Sequence, residues 1–277
     1  MPNRRLPVGR LAVLAATLVA AWALVRGGST IRWRTLQPGL EFSTFRGDPF
    51  CRRGSSEIGV LRIDPTRVRL RVRHYTLENI DDPPSILDWQ KRLEPLAVFN
   101  AGQYYPDFRY MGILVSGGHV VSHRPHPDFQ AALVADLRHG HPHAQVVDLA
   151  RTPIDPGRTE WSEVAQSFML FDAGGDVRVR KSDRAANRTA VGEDDRGRLL
   201  VFTSEGAYTL HDFATLLRRT KLGVTHAMSM DGGLEAEMCV TAGGLRWASF
   251  GRWDPGEPPE APGALVPLPA VIEVCAP

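Results

Sequence analysis

The sequence predicts an α+β fold: a single domain with a mixed, largely antiparallel β-sheet core and a few packed helices. Short apolar or alternating runs recur from Leu36 to Val274, and Gly-, Pro- and Asp-rich turns separate them. Only two segments have clear helical spacing, and no boundary separates two hydrophobic cores. No strand is followed by a Gly-rich loop that opens a helix, which argues against a doubly wound nucleotide fold. With 277 residues, 43% hydrophobic and 23% charged, the chain has an ordinary globular composition. A net charge of +2 points to no particular partner, and no nucleic acid is expected. Cys51, Cys239 and Cys275 are too few for a disulfide scaffold; of the pairings open to them, Cys51 with Cys275 would tie the two ends together.

Residues 1–30 are expected to be a signal peptide or membrane anchor. Arg4, Arg5 and Arg10 precede an uncharged apolar run from Leu11 to Val25, and Ala21-Trp22-Ala23 offers a small-x-small cleavage pattern. Left uncut, the run is a single anchor with its basic start on the cytoplasmic side. Either way residues 31–277 are expected outside the cytoplasm, periplasmic or secreted, possession of an inner-membrane anchor depending on the cut.

Leu36 to Phe45 reads as the first strand, and Ile58–Ile63 with Val68–Val72 as a hairpin through Asp64-Pro65-Thr66. Arg67, Arg69, Arg71 and Arg73 alternate along its second arm, either as a polyanion face or as charges that discourage edge pairing. Ser85–Leu93 is a helix with Ser85 as N-cap and Asp88 three residues on. Leu96–Phe99 is a buried strand ending at Asn100-Ala101-Gly102, followed by the aromatic loop Tyr104, Tyr105 and Phe108. Aromatic loops with a few polar groups suit sugar-like ligands. Gly112–Val115 and His119–Val121 form a hairpin. His123, His126, His139, His141 and His143 fall in polar connections at spacings that match no metal site. Ala131–Val134 and Gln145–Leu149 are further strands, and 150–160 is a loop. Ser167–Phe171 pairs with Val177–Val179, and the strand opened by Arg188 pairs with Leu199–Thr203. Thr209–Leu222 is the clearest helix, capped by Thr209 and Asp212 and closed by Gly223. A hairpin over Met238–Phe250, a Pro-rich crossing and a closing strand at Val271–Val274 complete the chain.

The segment from Ala227 to Gly233 organises the rest. A short buried run delivers Asp231, and Gly232 and Gly233 follow it. Such an acid at a strand end is presented by a rigid scaffold, with glycines that let another group approach; the alternative is an Asp-Gly hairpin turn.

Three motifs occur in order: VFNAGQYY at 98–105, NRTAVGEDDRGRLLVF at 187–202 and YTLHDFATLLRRTKLGVTHAMSMDGG at 208–233. Together, over about residues 95 to 275, they resemble the phosphodiester glycosidase family (the N-acetylglucosamine-1-phosphodiester α-N-acetylglucosaminidase-like domain), and its bacterial relatives in particular. The resemblance implies a mixed α+β domain that cleaves a sugar-1-phosphodiester to a free sugar and a phosphomonoester. By position it makes Asn100, Arg188, Gly192, Asp231, Gly232 and Gly233 the matching motif residues. This chain departs from the pattern at Leu234, where the family carries a third glycine, and at Glu235, where it carries serine; Glu205-Gly206 stands where Asp-Gly is frequent.

Arg188 is expected to grip the phosphate and Asn100 to hydrogen-bond a sugar hydroxyl or phosphate oxygen. Asp231 would act as base, nucleophile or stabiliser, with Glu205 and Glu235 as candidate second carboxylates. Gly102, Tyr104, Tyr105, Gly192, Gly232 and Gly233 are the expected substrate-binding positions. No protein metal site is expected, but a divalent cation, Ca²⁺ or Mg²⁺, bridging Asp231, a second acid and phosphate would suit hard oxygen ligands. The partner is then a carbohydrate phosphodiester or a polysaccharide. The competing function is a non-catalytic envelope protein that binds polysaccharide. Both require Asn100, Arg188 and Asp231 to converge.

Overall fold

The structure is a computed structural model that describes residues 31–137 and 143–277. Three antiparallel sheets share one core. The largest has seven strands in the order β1 (Arg34–Gln37), β2 (Leu40–Arg46), β3 (Glu57–Ile63), β14 (Leu199–Ser204), β13 (Arg188–Asp194), β16 (Val224–Gly232) and β11 (Met169–Phe171). A five-stranded sheet runs β18 (Leu245–Ser249), β17 (Met238–Ala242), β5 (Ala97–Asn100), β19 (Ala270–Cys275) and β4 (Arg69–His74). A second five-stranded sheet runs β7 (His119–Ser122), β6 (Leu114–Ser116), β10 (Trp161–Ser167), β8 (Ala131–Leu137) and β9 (Ala144–Asp148). A short ladder pairs β12 (Ala185–Ala186) with β15 (Tyr208–Thr209). Leu61, Val72, Leu133, Val146, Met228 and Val240, from all three large sheets, meet in one buried cluster. The domain is therefore α+β but poor in helix, as the turn-punctuated sequence implies.

The helices form where caps and apolar stripes coincide. In α1 (Ile86–Leu93) the Ser85 side chain accepts from the Asp88 N–H and the Asp88 carboxylate accepts from Ser85, a complete capping box. Trp89 is fully buried and its indole N–H donates to the Leu268 carbonyl at 2.8 Å. In α2 (Leu210–Arg219) Phe213, Ala214 and Leu217 are buried, and the Thr209 hydroxyl accepts from the Asp212 N–H. This helix ends with Thr220 in extended conformation, before the expected Gly223, whose φ of +75° belongs to the following turn.

Several elements differ from the sequence expectation, each for a local reason. The first strand is broken at Gly39 (φ +83°) into β1 and β2. The expected hairpin of Ile58–Ile63 with Val68–Val72 does not form. The amides of Arg67 and Val68 both return to the Asp64 carbonyl in a helical turn, which swings β4 into another sheet. There β4 is an edge strand, and Arg73 pairs with Glu273 and Glu78 instead of a polyanion. Trp161–Ser167 was not expected as a strand because its polar residues mask it. Glu163 and Gln166 are buried and serve backbone amides of Val72, Gly117 and Ile113. Val177 contributes a single bridge to Phe171. All three cysteines are free thiols. Cys51 Sγ faces the carbonyls of Arg53 and Ser55, whereas Cys275 lies on β19 opposite Arg69, so the suggested bridge is absent. His139, His141 and residues 1–30 lie outside the described residues. Among those described, no helix is long and apolar enough to cross a membrane.

Candidate active site

Asp231 and Gly232 are the last residues of β16, not a hairpin turn. The chain then makes one 3-10 turn over Gly233–Glu235 and crosses from the seven-stranded sheet into β17. Arg188 opens β13 directly opposite Gly232. Asn100 ends β5 and bridges the two sheets: its Nδ2 donates to the carbonyls of Ala101 and Asp231 (3.1 Å each), and its Oδ1 accepts from the Glu237 N–H at 3.2 Å. The three motif corners thus converge. Asn100, however, is 1% exposed and its amide is committed to backbone, so it braces the crossing in place of facing a ligand.

The glycines are required here. At Gly232 a Cβ would stand 2.9 Å from both Arg188 Nη1 and the Asn187 carbonyl. At Gly233 φ is +77°, and a Cβ would overlap the Asp254 carboxylate. Asp254 reaches that position because Asn187 clamps the preceding loop. Its Oδ1 accepts from the amides of Arg252 (2.9 Å) and Trp253 (2.8 Å), and its Nδ2 donates to the Ser204 carbonyl.

Arg188 is buried, with Nε donating to the Tyr208 carbonyl (2.8 Å) and Nη2 to that of Arg184 (2.9 Å). Nη1 is left on the side of Gly232. Burial lowers its pKa to about 10, the charges of Asp231 and Asp254 working against that shift, so it remains a cation at neutral pH.

Asp231 and Asp254 act on it directly, and Glu235 and Glu237 continue the acids from Asp231. Burial first, then the charge of Glu235, pushes Asp231 well above the usual carboxylate range, while the Gly232 N–H and Arg188 oppose the rise. Glu235 is raised by burial and by the charge of Asp254. Its Oε1 is 3.3 Å from the Tyr104 hydroxyl, which also donates to the Pro267 carbonyl at 2.8 Å. Glu237 is fully buried, and its pKa is pushed to about 8 by burial and by Glu235. Asp254 is raised by burial, with Arg184 and Arg188 opposing. Groups so close cannot all ionise together, so the cluster holds protons near neutrality beside a fixed guanidinium. Chemically, such an arrangement is suited to holding an anion and to exchanging a proton.

A family model for phosphodiester glycosidase matches residues 94–263. This chain is a member of the phosphodiester glycosidase family. The catalytic domain of zebrafish N-acetylglucosamine-1-phosphodiester α-N-acetylglucosaminidase, auto-inhibited by its pro-peptide, aligns with a TM-score of 0.61 at 16% identity, over 92% of this chain and 91% of that one. A Synechocystis protein aligns with a TM-score of 0.60 at 12% identity, over 91% of this chain but only 64% of its own. A Burkholderia pseudomallei protein described as exported aligns with a TM-score of 0.51 at 13% identity, over 99% of this chain and 82% of its own. At such identities these likenesses speak for the fold alone. No curated protein matches.

The other motif positions of this family member lie elsewhere in the fold. Gly102 donates to the Tyr110 hydroxyl at 3.1 Å and makes room for it. Gly192 is mid-sheet, four residues and about 13 Å along β13 from Arg188, where its lack of a Cβ admits Val224 and the His226 carbonyl. Glu205 is raised by burial, and its charged neighbours are Glu57 and Arg252; it is not among the groups that shift Asp231. Tyr105 is exposed on the far side of the aromatic loop. Glu237 and Asp254 escaped the sequence reading. Glu237 had a weak signal, an acid just before a buried strand and two residues after Glu235, but the 3-10 turn at Glu235 breaks any strand periodicity between them. Asp254 had none beyond Trp253 and Pro255 around it. Among the described residues no three His, Cys, Asp or Glu side chains are grouped to ligate a metal ion.

Proposed function

We propose that this member of the phosphodiester glycosidase family is an exported hydrolase that cleaves a sugar-1-phosphodiester of envelope or extracellular glycans. What supports the reading most is the placing of the Arg188 guanidinium at the Asp231–Gly232 corner, beside carboxyls that hold protons near neutral pH. Arg188 Nη1 would hold a phosphate oxygen in a charge-assisted hydrogen bond. Within the Asp231–Glu235 pair, the ionised member takes a proton from water as it adds to the anomeric carbon. The protonated member gives its proton to the departing phosphate oxygen, so the C1–O bond breaks and a free sugar and a phosphomonoester leave. Asn100 positions Asp231 through the main chain. Export is supported by the basic start and apolar run before residue 31.

The test is a panel of sugar-1-phosphodiesters, N-acetylglucosamine among the sugars, incubated with the full chain and assayed for free sugar. Wild type is expected to turn over at least one, and Asp231→Asn to lose about 100-fold or more. Polysaccharide binding without turnover of any of the panel would establish the non-catalytic alternative.

A further inference from the structure

A hollow lies across the aromatic loop from the acid cluster. It is a groove of about 760 Å³, walled by Tyr75, Tyr105, Phe108, Arg109, His123 and Arg124 among others, and neither Asp231 nor Arg188 lines it. Its size falls within the range of ligand pockets.

The wall between groove and cluster is the small hairpin Gln103–Met111. The Met111 amide returns to the Gln103 carbonyl, Tyr104 bridges Tyr110, and the Tyr105 amide donates to the Arg109 carbonyl at 2.8 Å. One side of this hairpin touches the cluster, through Gln103 Nε2 on the Met230 carbonyl and the Tyr104 hydroxyl beside Glu235. The other side presents Tyr105, Phe108 and Arg109 to the groove. Phe108 is held at φ +64°, a conformation that a bulky residue rarely adopts and that structures retain chiefly where it serves a site. Arg109 is preset as well: it is ion-paired with Asp107 at 2.6 Å and lies 5.2 Å over the Tyr105 ring.

The charges in the groove identify its ligand. Asp107 offsets Arg109. His74 is kept neutral by burial, which lowers its pKa to about 4. Arg124, exposed on the rim, has no ion-pair partner among the described residues. The groove thus offers aromatic faces, which pack on the C–H faces of sugar rings, and one uncompensated guanidinium, which suits a carboxylate or phosphate.

A phosphodiester has two arms, of which the cluster, on the proposed function, takes the cleaved sugar and the phosphate. We propose that the groove binds the other arm: a chain of sugar rings that carries a further anionic group. This rests on the phosphodiester reading above, but it is tested by binding and not by turnover. The probe is a disaccharide that bears a phosphate monoester on one ring and contains a uronate as the other, titrated calorimetrically into the full chain. Wild type is expected to bind, and Arg124→Ala and Tyr105→Leu each to weaken the affinity about tenfold. The same disaccharide phosphate with a neutral hexose in place of the uronate should bind equally to wild type and Arg124→Ala. Thermal unfolding at the wild-type temperature shows that the variants are folded. No detectable binding of the uronate probe by wild type, or wild-type affinity in both variants, overturns the proposal. Hydrolysis of methyl N-acetylglucosamine 1-phosphate is scored separately, so that loss of the catalytic reading and loss of the groove are distinguishable.

Discussion

Glu237 concentrates the chemistry of the cluster in one side chain. It is fully buried, and neither carboxyl oxygen has a hydrogen-bond partner. Its pKa rises from 4.5 to about 8 in the folded chain. Between those values the folded state binds a proton that the unfolded state has lost. The stability it contributes is therefore full below about pH 4.5 and is lost as pH rises through about 8. Glu237→Gln should melt with wild type at the acid end and several degrees above it beyond about pH 8. A melting difference independent of pH would show that the carboxyl does not titrate. Gly232→Ala acts on the neighbouring guanidinium. Its Cβ would displace Arg188 Nη1, 2.9 Å away, and should cut turnover about 100-fold while costing only about 1–3 kcal/mol of stability. Steady-state rates and denaturant melts separate the two effects. The strand-end positions of Asp231 and Arg188 were legible in the sequence because glycine or turn chemistry flanks each. Asn100 was legible as a corner but not in its role, because its partners are main-chain atoms of segments far along the chain.

At the scale of elements, the site is a crossing between sheets. β16 ends, a single 3-10 turn intervenes, and β17 begins in another sheet, with Asn100 of β5 tying the two. The loop that carries Asp254 is held by Asn187, on which two amides and one carbonyl depend. Asn187→Ala should cost about 2–4 kcal/mol, because it leaves buried groups unpaired. It should also slow turnover by releasing Asp254. Chemical denaturation with parallel rate measurements tests this, and full activity would remove Asp254 from the site. Both helices were legible because caps and apolar stripes are local signals. Trp161–Ser167 was not, because Glu163 and Gln166 are polar residues buried by partners that only the tertiary structure supplies. The split of β3 from β4 was equally hidden, since alternation reveals a strand but not its neighbours.

Across the whole molecule, three antiparallel sheets converge on one core, two strand ends and the turn after β16 bring Arg188, Asp231 and Glu235 to one corner, and an aromatic hairpin separates that corner from a groove. The α+β class followed from the many short strand runs, the turns between them and the two helical segments. The sheet order did not, because pairings such as β13 with β16 and β5 with β19 join segments far apart in the chain. The central claim is that this corner performs phosphodiester glycoside hydrolysis. Its most direct test is the release of free sugar from N-acetylglucosamine 1-phosphodiesters by the full chain, wild type against Asp231→Asn at matched thermal stability. The account predicts free sugar and phosphomonoester in equal amounts from wild type and a rate at least about 100-fold lower from the variant. Equal rates from the two proteins would contradict it.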